Sequence, residues 1–248
     1  MRIVSWNIRA GGGKRVEGVA AQLERWAPDV VSLCEYRATP PSLWLAETLA
    51  AHGYVHQLTT AHASAPGRNA LLVASRYPLR RLLLRQRPTE PARWLSVRVD
   101  ADVPFVLAAM HAPNFVTGRK FVFLDAITAM STRWRHGPAV FLGDTNCGWP
   151  FIDEERPVFN AATALWLDTL TSLGWRDAFR LQNAEERFYT WYSPNGGNGF
   201  RLDQAFLNRR MQPRLERAWY EWGAPPDEDL PYRREALSDH AALLLDLA

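Results

Sequence analysis

A set of polar residues of the kinds that bind metal ions and transfer protons stands at the ends of predicted strands. Strand ends on one edge of a sheet lie close together, so they can deliver distant side chains to one rim, where active sites of layered α/β proteins are expected. Carboxylates bind a hard cation such as Mg²⁺, and a carboxylate with an amide can orient and deprotonate water. An imidazole can donate a proton to phosphate, so the set fits hydrolysis of a phosphate ester. In chain order it comprises Asn7, Glu35, His111, Asp144, Asn146, Asp239 and His240.

Each of these residues, taken alone, also has a structural explanation. Asn7 is more typical of a strand-end turn, and residues 144–146 fit an ordinary Asx turn. His111 could be a hydrogen-bonded core histidine, and residues 239 and 240 a helix cap or loop pair. Glu35 differs, because a carboxylate at the end of an apolar strand is rarely buried without a partner. Their joint occurrence at strand ends favours the functional interpretation.

The elements that must position these residues alternate between strands and helices. A strand, a helix and a second strand within about the first 35 residues indicate a crossover unit of a layered α/β protein. The later strands are too many for a simple alternating fold, so we predict two mixed sheets packed face to face with helices outside. The predicted strands cover residues 2–7, 29–33, 54–59, 70–75, 80–85, 94–99, 105–110, 139–142, 188–191, 202–207 and 241–247. The predicted helices cover residues 16–26, a long segment after Gly118, and residues 161–173.

The composition fits one domain over residues 1–248, because 47% hydrophobic content can supply a large core. Lys and Arg number 29 against 26 Asp and Glu, and most of the positive charge is arginine, which suits bidentate phosphate contact or a solvated surface. Two cysteines are too few for a disulfide scaffold and lack the spacing of a zinc site. Without a signal segment or membrane span in the sequence, we expect a cytoplasmic monomer with no protein partner and no membrane insertion.

Five short motifs follow one another along the chain: SWNIR at 5–9, LCEYR at 33–37, GDTN at 143–146, FRLDQAFLN at 200–208 and LSDHAAL at 237–243. Together they resemble the endonuclease/exonuclease/phosphatase superfamily, and the match runs nearly from end to end. The resemblance implies a four-layer α/β sandwich. It also implies a divalent-metal-dependent phosphodiester hydrolase that uses Mg²⁺, with Mn²⁺ as the alternative ion, and activates water.

The resemblance assigns the metal and the attacking water to separate groups. Glu35 would bind the catalytic ion, with Asn7 and Asp239 close to that ion or its waters. Asp144 would orient and deprotonate the attacking water, assisted by Asn146.

The phosphate would be contacted by imidazoles. The resemblance implies that His240 stabilises the developing charge and that Asp203 fixes its orientation through a hydrogen bond. Residues His111 to Asn114 resemble the phosphate-contacting segment of exonuclease III-type enzymes, where a tyrosine usually takes the first position. A histidine there resembles deoxyribonuclease I, the sphingomyelinases and tyrosyl-DNA phosphodiesterase 2 instead.

The segment YTWYSPNGGNGFRLD at 189–203 bears on the substrate, because it resembles the stretch of abasic-site endonucleases that forms an aromatic pocket for a baseless sugar. Trp191 and Phe200, with Leu202, would line that pocket, although these residues are equally typical of a core. Arg37 stands where the family usually has lysine and keeps the positive charge.

Two basic clusters could grip a nucleic-acid backbone or belong to a solvated surface. They are Arg68 with Asn69, and Arg119 with Lys120. We therefore expect DNA as the first partner. The alternatives are a phosphatase or phosphodiesterase of small phosphorylated molecules, phospholipid headgroups or tyrosyl-DNA adducts, and a binder of nucleic acid that does not cut. The intact set of catalytic residue types argues against the binder.

Overall fold

The computed structural model describes residues 1–114, 118–224 and 236–248, and most of its strands form two six-stranded sheets with helices outside. The strands are β1 Arg2–Asn7, β2 Val30–Tyr36, β3 His56–Thr59, β4 Ala70–Ser75, β5 Leu79–Arg81, β6 Trp94–Val99, β7 Phe105–His111, β8 Ala139–Asp144, β9 Trp175–Asp177, β10 Trp191–Tyr192, β11 Gly199–Phe200, β12 Asp203–Asn208, β13 Leu215–Glu221 and β14 Ala242–Leu247. The α-helices are α1 Val16–Trp26, α2 Pro40–Ala51, α3 Lys120–Thr132, α4 Ala161–Ser172 and α5 Ala178–Gln182.

Each large sheet has one parallel pair near its centre. The first sheet has the order β13-β14-β1-β2-β4-β3 and the second the order β5-β6-β7-β8-β12-β9, while β10 and β11 form a separate ribbon. The parallel pairs are β1 with β2 and β7 with β8, and each is joined through a helix, α1 or α3. The first of these is the crossover unit that the N-terminal sequence predicts.

Alternation of side chains along the strands sorts the core into three clusters. Odd-numbered positions of β1, such as Ile3, face the second sheet and join the cluster between the sheets, whereas Val4 faces outward. The outward face of the first sheet packs on α1 and α2, and that of the second sheet on α3 and α4. This confirms the predicted four-layer sandwich. None of the helices in the described part of the chain is long and apolar enough to cross a membrane.

Three predicted strands are wrong by three or more residues at one end. The strand predicted over residues 29–33 continues to Tyr36. The strand predicted over residues 80–85 ends at Arg81, because Leu84 packs into the cluster under α3 instead of pairing with a neighbour. The strand predicted over residues 188–191 contains only Trp191 of that range. Phe188 stacks on Tyr220 at 4.9 Å between ring centroids, which takes it out of line with the ribbon.

Five elements are absent from the prediction, namely α2, β9, α5, β11 and β13, and three of these, β9, α5 and β11, are at most five residues long. Helix α2 begins with two prolines, which break helices internally but favour the first helical turn. Strand β13 has the sequence LERAWYE, with only a partial period-two pattern and charges at an edge of the sheet.

Gly143 allows β8 to lie against β7 just before the strand end. It has a φ of +136°, and a Cβ built there would lie 2.0 Å from the carbonyl oxygen of Met110. Only glycine fits this close approach, which sets His111 beside Asp144 in the parallel register.

We predict that Gly143→Ala lowers the free energy of unfolding by about 3 kcal/mol or more, because it combines overpacking with an unfavourable φ. Urea denaturation monitored by circular dichroism measures this difference. Gly67→Ala is the matched control: beyond its two chain neighbours, no residue has an atom within 4 Å of its Cβ position, so we expect a change below about 1 kcal/mol. Equal stability of the Gly143→Ala protein and the wild type would contradict the packing argument.

Candidate active site

The inner faces of both sheets end in polar side chains at one edge of the sandwich. The same alternation that buries Ile3 between the sheets directs Asn7 inward at the end of β1. In the second sheet, Asp144 pairs in register with His111 on one side and with Asp203 on the other. Asn7, His111, Asp144 and Asp203 are all buried. The core between the sheets therefore ends, at this edge, in a cluster of buried polar side chains.

Asp144 is the centre of this cluster. Its Oδ2 accepts a hydrogen bond from Nδ2 of Asn7 at 3.1 Å, and its Oδ1 accepts one from the backbone N–H of Asn146 at 3.0 Å. Nε2 of His111 lies 3.7 Å from Oδ2, and Nε2 of His240 lies 4.0 Å from the same oxygen. Burial raises the pKa of Asp144, although the two imidazoles oppose this rise. A raised pKa makes a carboxylate a stronger base.

His240 is fixed by Asp203. Nδ1 of His240 lies 2.8 Å from Oδ2 of Asp203, and Nε1 of Trp6 donates to the backbone oxygen of His240 at 2.9 Å. Burial lowers the pKa of His240, but the charge and hydrogen bond of Asp203, with the charges of Asp144 and Asp239, outweigh it and raise the pKa to about 10. His240 is therefore a cation at neutral pH. The predicted pairing of Asp203 with His240 is present in the structure.

His111 has the opposite electrostatic character. Its burial lowers the pKa to about 4, against the attraction of Asp144 and with a further lowering by Arg93 and His240. Arg93 also donates to the backbone oxygen of His111 at 3.1 Å. At neutral pH the site thus holds one charged and one uncharged imidazole, which suits them to different roles.

A second group of polar residues lies around the turn after β1. Arg9 and Ala10 both have a positive φ, and the N–H of Ala10 donates to Oε2 of Glu35 at 2.7 Å. The N–H of Arg9 donates to Oδ1 of Asn7 at 3.1 Å, and its Nε lies 3.7 Å from Oδ2 of Asp239. Asn7, Glu35 and Asp239, which the family resemblance places at or near a metal ion, therefore all contact this turn.

Glu35 reaches this position because β2 bulges there. The register of β2 with β4 shifts between Cys34 and Tyr36, and Glu35 has a φ of 60°. A bulge re-aims a side chain relative to regular alternation. The strand-end position predicted a functional Glu35, whereas the bulge has no signal in the sequence.

The donor set around this turn fits a hard divalent cation. Glu35 and Asp239 offer carboxylate oxygens, and Oδ1 of Asn7 keeps a second lone pair beside its hydrogen bond. One ligand atom each from Asp144, Asp203 and His240 also lies within 4.8 Å of the others. In that cluster, however, Nδ1 of His240 is engaged by Asp203, which favours a role in proton transfer over metal binding.

Asn146 is held from two sides. Its Nδ2 donates to the backbone oxygen of Ala112 at 2.8 Å, and its own backbone oxygen accepts a hydrogen bond from Nζ of Lys120. Lys120 is only 1% exposed, and burial lowers its pKa. The interpretation of Lys120 as a surface contact to nucleic acid is therefore wrong, because its side chain braces the Asp144–Asn146 turn. Its spacing with Phe123 and Ile127 on the buried face of α3 was the signal that could have found it.

Of the residues predicted to line the aromatic pocket, Trp191 borders the site, whereas Phe200 and Leu202 lie in the core. Trp191 pairs with Phe200 in the ribbon and forms a bridge to the backbone of His240, with 6.2 Å between the Trp191 and His240 rings. Trp191 is half-buried and borders the site. Phe200 and Leu202 are buried, and Phe200 packs edge-on against Phe159, so they lie in the supporting core.

The remaining predicted contacts lie around the site at different depths. Nε of Arg37 donates to Oδ1 of Asn69 at 2.6 Å. The Arg37 side chain lies beside Gly11, which follows the turn after β1. Arg68 is exposed and lines a groove of about 380 Å³ together with Arg119. Asn114 is exposed.

Comparison with known proteins agrees with this architecture. A sequence model of the Endonuclease/Exonuclease/phosphatase family matches residues 4–240. No curated protein sequence matches the chain. Similar solved structures include the 3′ phosphatase NExo from Neisseria, bound to a product DNA hairpin, with a TM-score of 0.78, 22% identity and coverage of 100% of this chain and 99% of that one. An AP endonuclease from Archaeoglobus fulgidus has a TM-score of 0.79 at 19% identity, with coverage of 100% and 99%. The APE2 catalytic domain from Xenopus laevis has a TM-score of 0.74 at 16% identity, with coverage of 100% and 91%.

We predict that Asp203→Asn lowers the pKa of His240 in the metal-free protein, because burial remains while the attracting charge is lost. The pKa of about 10 means that protonated His240 stabilises the fold. That stabilisation is complete below the unfolded pKa of about 6.5 and is lost as the pH rises through about 10. The wild type should therefore exceed the variant in stability most at low pH, and the difference should shrink towards pH 10.

Proton NMR of the histidine rings and urea unfolding between about pH 5 and pH 10 measure both quantities. Asp102→Asn, a change at an exposed aspartate, should leave both unchanged. An unaltered His240 pKa in Asp203→Asn would contradict the assignment of Asp203 as the source of the shift.

Proposed function

The chain belongs to the Endonuclease/Exonuclease/phosphatase family, and we propose that it is a divalent-metal-dependent phosphodiester hydrolase that acts on DNA. One observation carries the proposal: a buried carboxylate and a charged imidazole face each other, with Oδ2 of Asp144 and Nε2 of His240 4.0 Å apart. A base and a cation in this arrangement can act on the water and the phosphate of one ester bond.

In this mechanism Asp144 takes the proton of the attacking water. Its raised pKa strengthens it as a base, and the N–H of Asn146 holds Oδ1 so that Oδ2 keeps its direction. Lys120 supports the same turn from α3, because its Nζ donates a hydrogen bond to the backbone oxygen of Asn146. The residue that orients the base is thus itself held in place.

The two imidazoles contribute to phosphate binding in different ways. His240, held as a cation by Asp203, stabilises the negative charge that develops on the phosphate oxygens. His111, uncharged at neutral pH, provides a hydrogen bond without adding a second positive charge. This accounts for a histidine at the position where exonuclease III-type enzymes usually have tyrosine.

Glu35, Asp239 and Asn7 would hold Mg²⁺ or Mn²⁺ at the turn after β1. When bound there, the ion would neutralise phosphate charge. The chain's own groups at this turn contribute orientation: the N–H groups of Arg9 and Ala10 fix the oxygens of Asn7 and Glu35 in advance.

DNA is the proposed substrate because aromatic and basic groups surround the phosphate site. Trp191 borders His240 and offers a stacking face. Arg37, beside Gly11, and Arg68, in the groove that it lines with Arg119, supply positive charge. Similar solved structures also support DNA as the substrate, because NExo was solved with a DNA hairpin and the protein from Archaeoglobus fulgidus is an AP endonuclease. We propose strand incision at an abasic site as the first activity and removal of a 3′-phosphate as the second.

We predict that Asp144→Ala reduces Mg²⁺-dependent incision of an abasic duplex by at least about 10³-fold, because the base is lost. Gel assays with labelled intact, abasic and 3′-phosphorylated duplexes measure the rate, and a chelator should abolish it. Asp125→Ala, which removes an exposed carboxylate of α3, is the control and should retain wild-type activity. Turnover of small phosphate esters without cleavage of any duplex or single strand would contradict the DNA proposal and favour the small-molecule alternative.

We predict that Trp191→Ala slows incision at an abasic site by about 10-fold while changing 3′-phosphate removal less, because loss of one stacking face costs about 1–3 kcal/mol. Steady-state rates on the two duplexes give the ratio. Trp44→Ala, at a tryptophan that is 40% exposed on α2, controls for loss of an exposed ring. An equal loss on both substrates would show that Trp191 supports His240 and does not select the baseless sugar.

A further inference from the structure

A groove that we call the distal groove lies at the end of the second sheet opposite to the candidate active site. Strand β8 ends at Asp144 in the active site and begins at Ala139, directly after the loop at residues 133–138. That loop, the end of α3 and residues 83–86 enclose a groove of about 680 Å³. Six residues of strand span roughly 20 Å, so the groove is separate from the catalytic cluster.

The floor of this distal groove is apolar. Leu84 and Met130 are buried beneath it, and Trp134 forms part of the lining. Leu83, at the rim, is 74% exposed. An apolar floor in a groove of this size can accommodate the flat or apolar part of a ligand.

The walls are strongly basic. Arg85, Arg133, Arg135 and His136 line the groove, and its lining contains no acidic residue. An adjoining groove of about 360 Å³ shares Trp134 and Arg135 and adds Arg209 and Arg210. Within the described residues, none of these five arginines forms an ion pair with a carboxylate.

The end of α3 does not explain this concentration of charge. The negative end of a helix dipole attracts cations only within about its last turn, which can account for Arg133 alone. Arg85 comes from the loop after β5, and Arg209 and Arg210 follow β12. With a net charge of only +3 over the whole chain, so many unpaired arginines in one place create a local positive field.

The Trp134 side chain lines both grooves and is held in a fixed orientation. Its Nε1 donates to the backbone oxygen of Gly137 at 2.8 Å, and its ring packs edge-on against Phe141 and Trp175, each at 5.3 Å between centroids. A ring held in advance loses little entropy when a second flat group stacks on it.

We propose that this distal site binds nucleotide units, with the base on the apolar floor beside Trp134 and the phosphates on the surrounding arginines. Arginine matches phosphate through paired N–H donors, and an aromatic surface matches a base without sequence preference. The nucleotide unit can belong to a single-stranded segment of nucleic acid or be a free nucleotide. An acidic peptide would satisfy the arginines but leave the apolar floor without a flat partner.

Fluorescence anisotropy with labelled dT12 in a chelator, where cleavage is suppressed, tests the proposal. Arg133→Ala/Arg135→Ala should weaken binding by at least about 10-fold and lower the slope of log affinity against log salt by about 1.4, since each phosphate contact to a single strand contributes about 0.7. Arg80→Ala/Arg217→Ala removes the same charge from other surfaces and should change neither by much. Equal affinities and slopes for the wild type and the Arg133→Ala/Arg135→Ala protein would overturn the proposal.

Competitors identify the source of the ligand. Displacement of dT12 by millimolar dTMP would support a free nucleotide as well as a strand, whereas displacement only by unlabelled dT12 would support a strand alone. Stronger displacement by hexaglutamate than by unlabelled dT12, with none by dTMP, would overturn the nucleotide assignment and favour an acidic peptide.

Photocrosslinking locates the contact independently. Iodouracil-substituted dT12 should form an adduct on a peptide containing Trp134, and adducts confined to peptides of the candidate active site would overturn the distal site. This readout is distinct from catalysis. An adduct at Trp134 without any metal-dependent cleavage would contradict the proposed function alone, and cleavage without the adduct would contradict the distal site alone.

Discussion

The hydrogen bond between Asp203 and His240 joins the two sheets, and the rest of the site depends on it. Asp203 begins β12 of the second sheet, whereas His240 directly precedes β14 of the first, and the bond between them is 2.8 Å long. Asn7 and Asp144 make a second contact between the sheets at 3.1 Å. Buried polar groups need partners, and here each finds its partner in the opposite sheet. The same bonds therefore close the open edge of the sandwich and set the distance between the Asp144 carboxylate and the His240 imidazole.

A buried charge network holds Asp203 from behind. Arg201, which is completely buried, makes two hydrogen bonds to Asp153 and one, at 2.8 Å, to Asp177. Its Nη1 also lies 3.1 Å from the hydroxyl of Tyr220, which donates to the backbone oxygen of Asp203 at 2.7 Å. Such a buried ion pair is tolerated only when nearly all of its donors and acceptors are satisfied. The network orders the start of β12, so that the carboxylate that orients His240 is itself held by a rigid backbone.

The sequence predicts those parts of the molecule in which one local pattern dominates. Apolar runs bounded by turn residues predicted the central strands, and polar residues at their ends predicted a common rim that includes Asp144 and Asn7. Other features depend on long-range contacts that leave no local mark. The bulge that turns Glu35 towards the Asn7 turn arises from pairing with β4. Lys120 resembles a surface lysine until the packing of α3 buries it under Asn146. Leu84 completes an apolar strand pattern, yet the cluster under α3 takes it out of the sheet.

Helix α3 runs from the candidate active site to the distal groove and has positively charged residues at both of its ends. At its first residue, Lys120 is buried, and its hydrogen bond supports the turn that holds Asp144 and Asn146. Beyond its last residue, Arg133 and Arg135 face solvent around the distal groove. The helix between them is anchored by Phe123 and Ile127 in the outer core. A buried cation must be satisfied by nearby groups and so acts on geometry, whereas exposed and unpaired cations act on a partner through their field. The net charge of the chain conceals this division, because it counts both kinds equally.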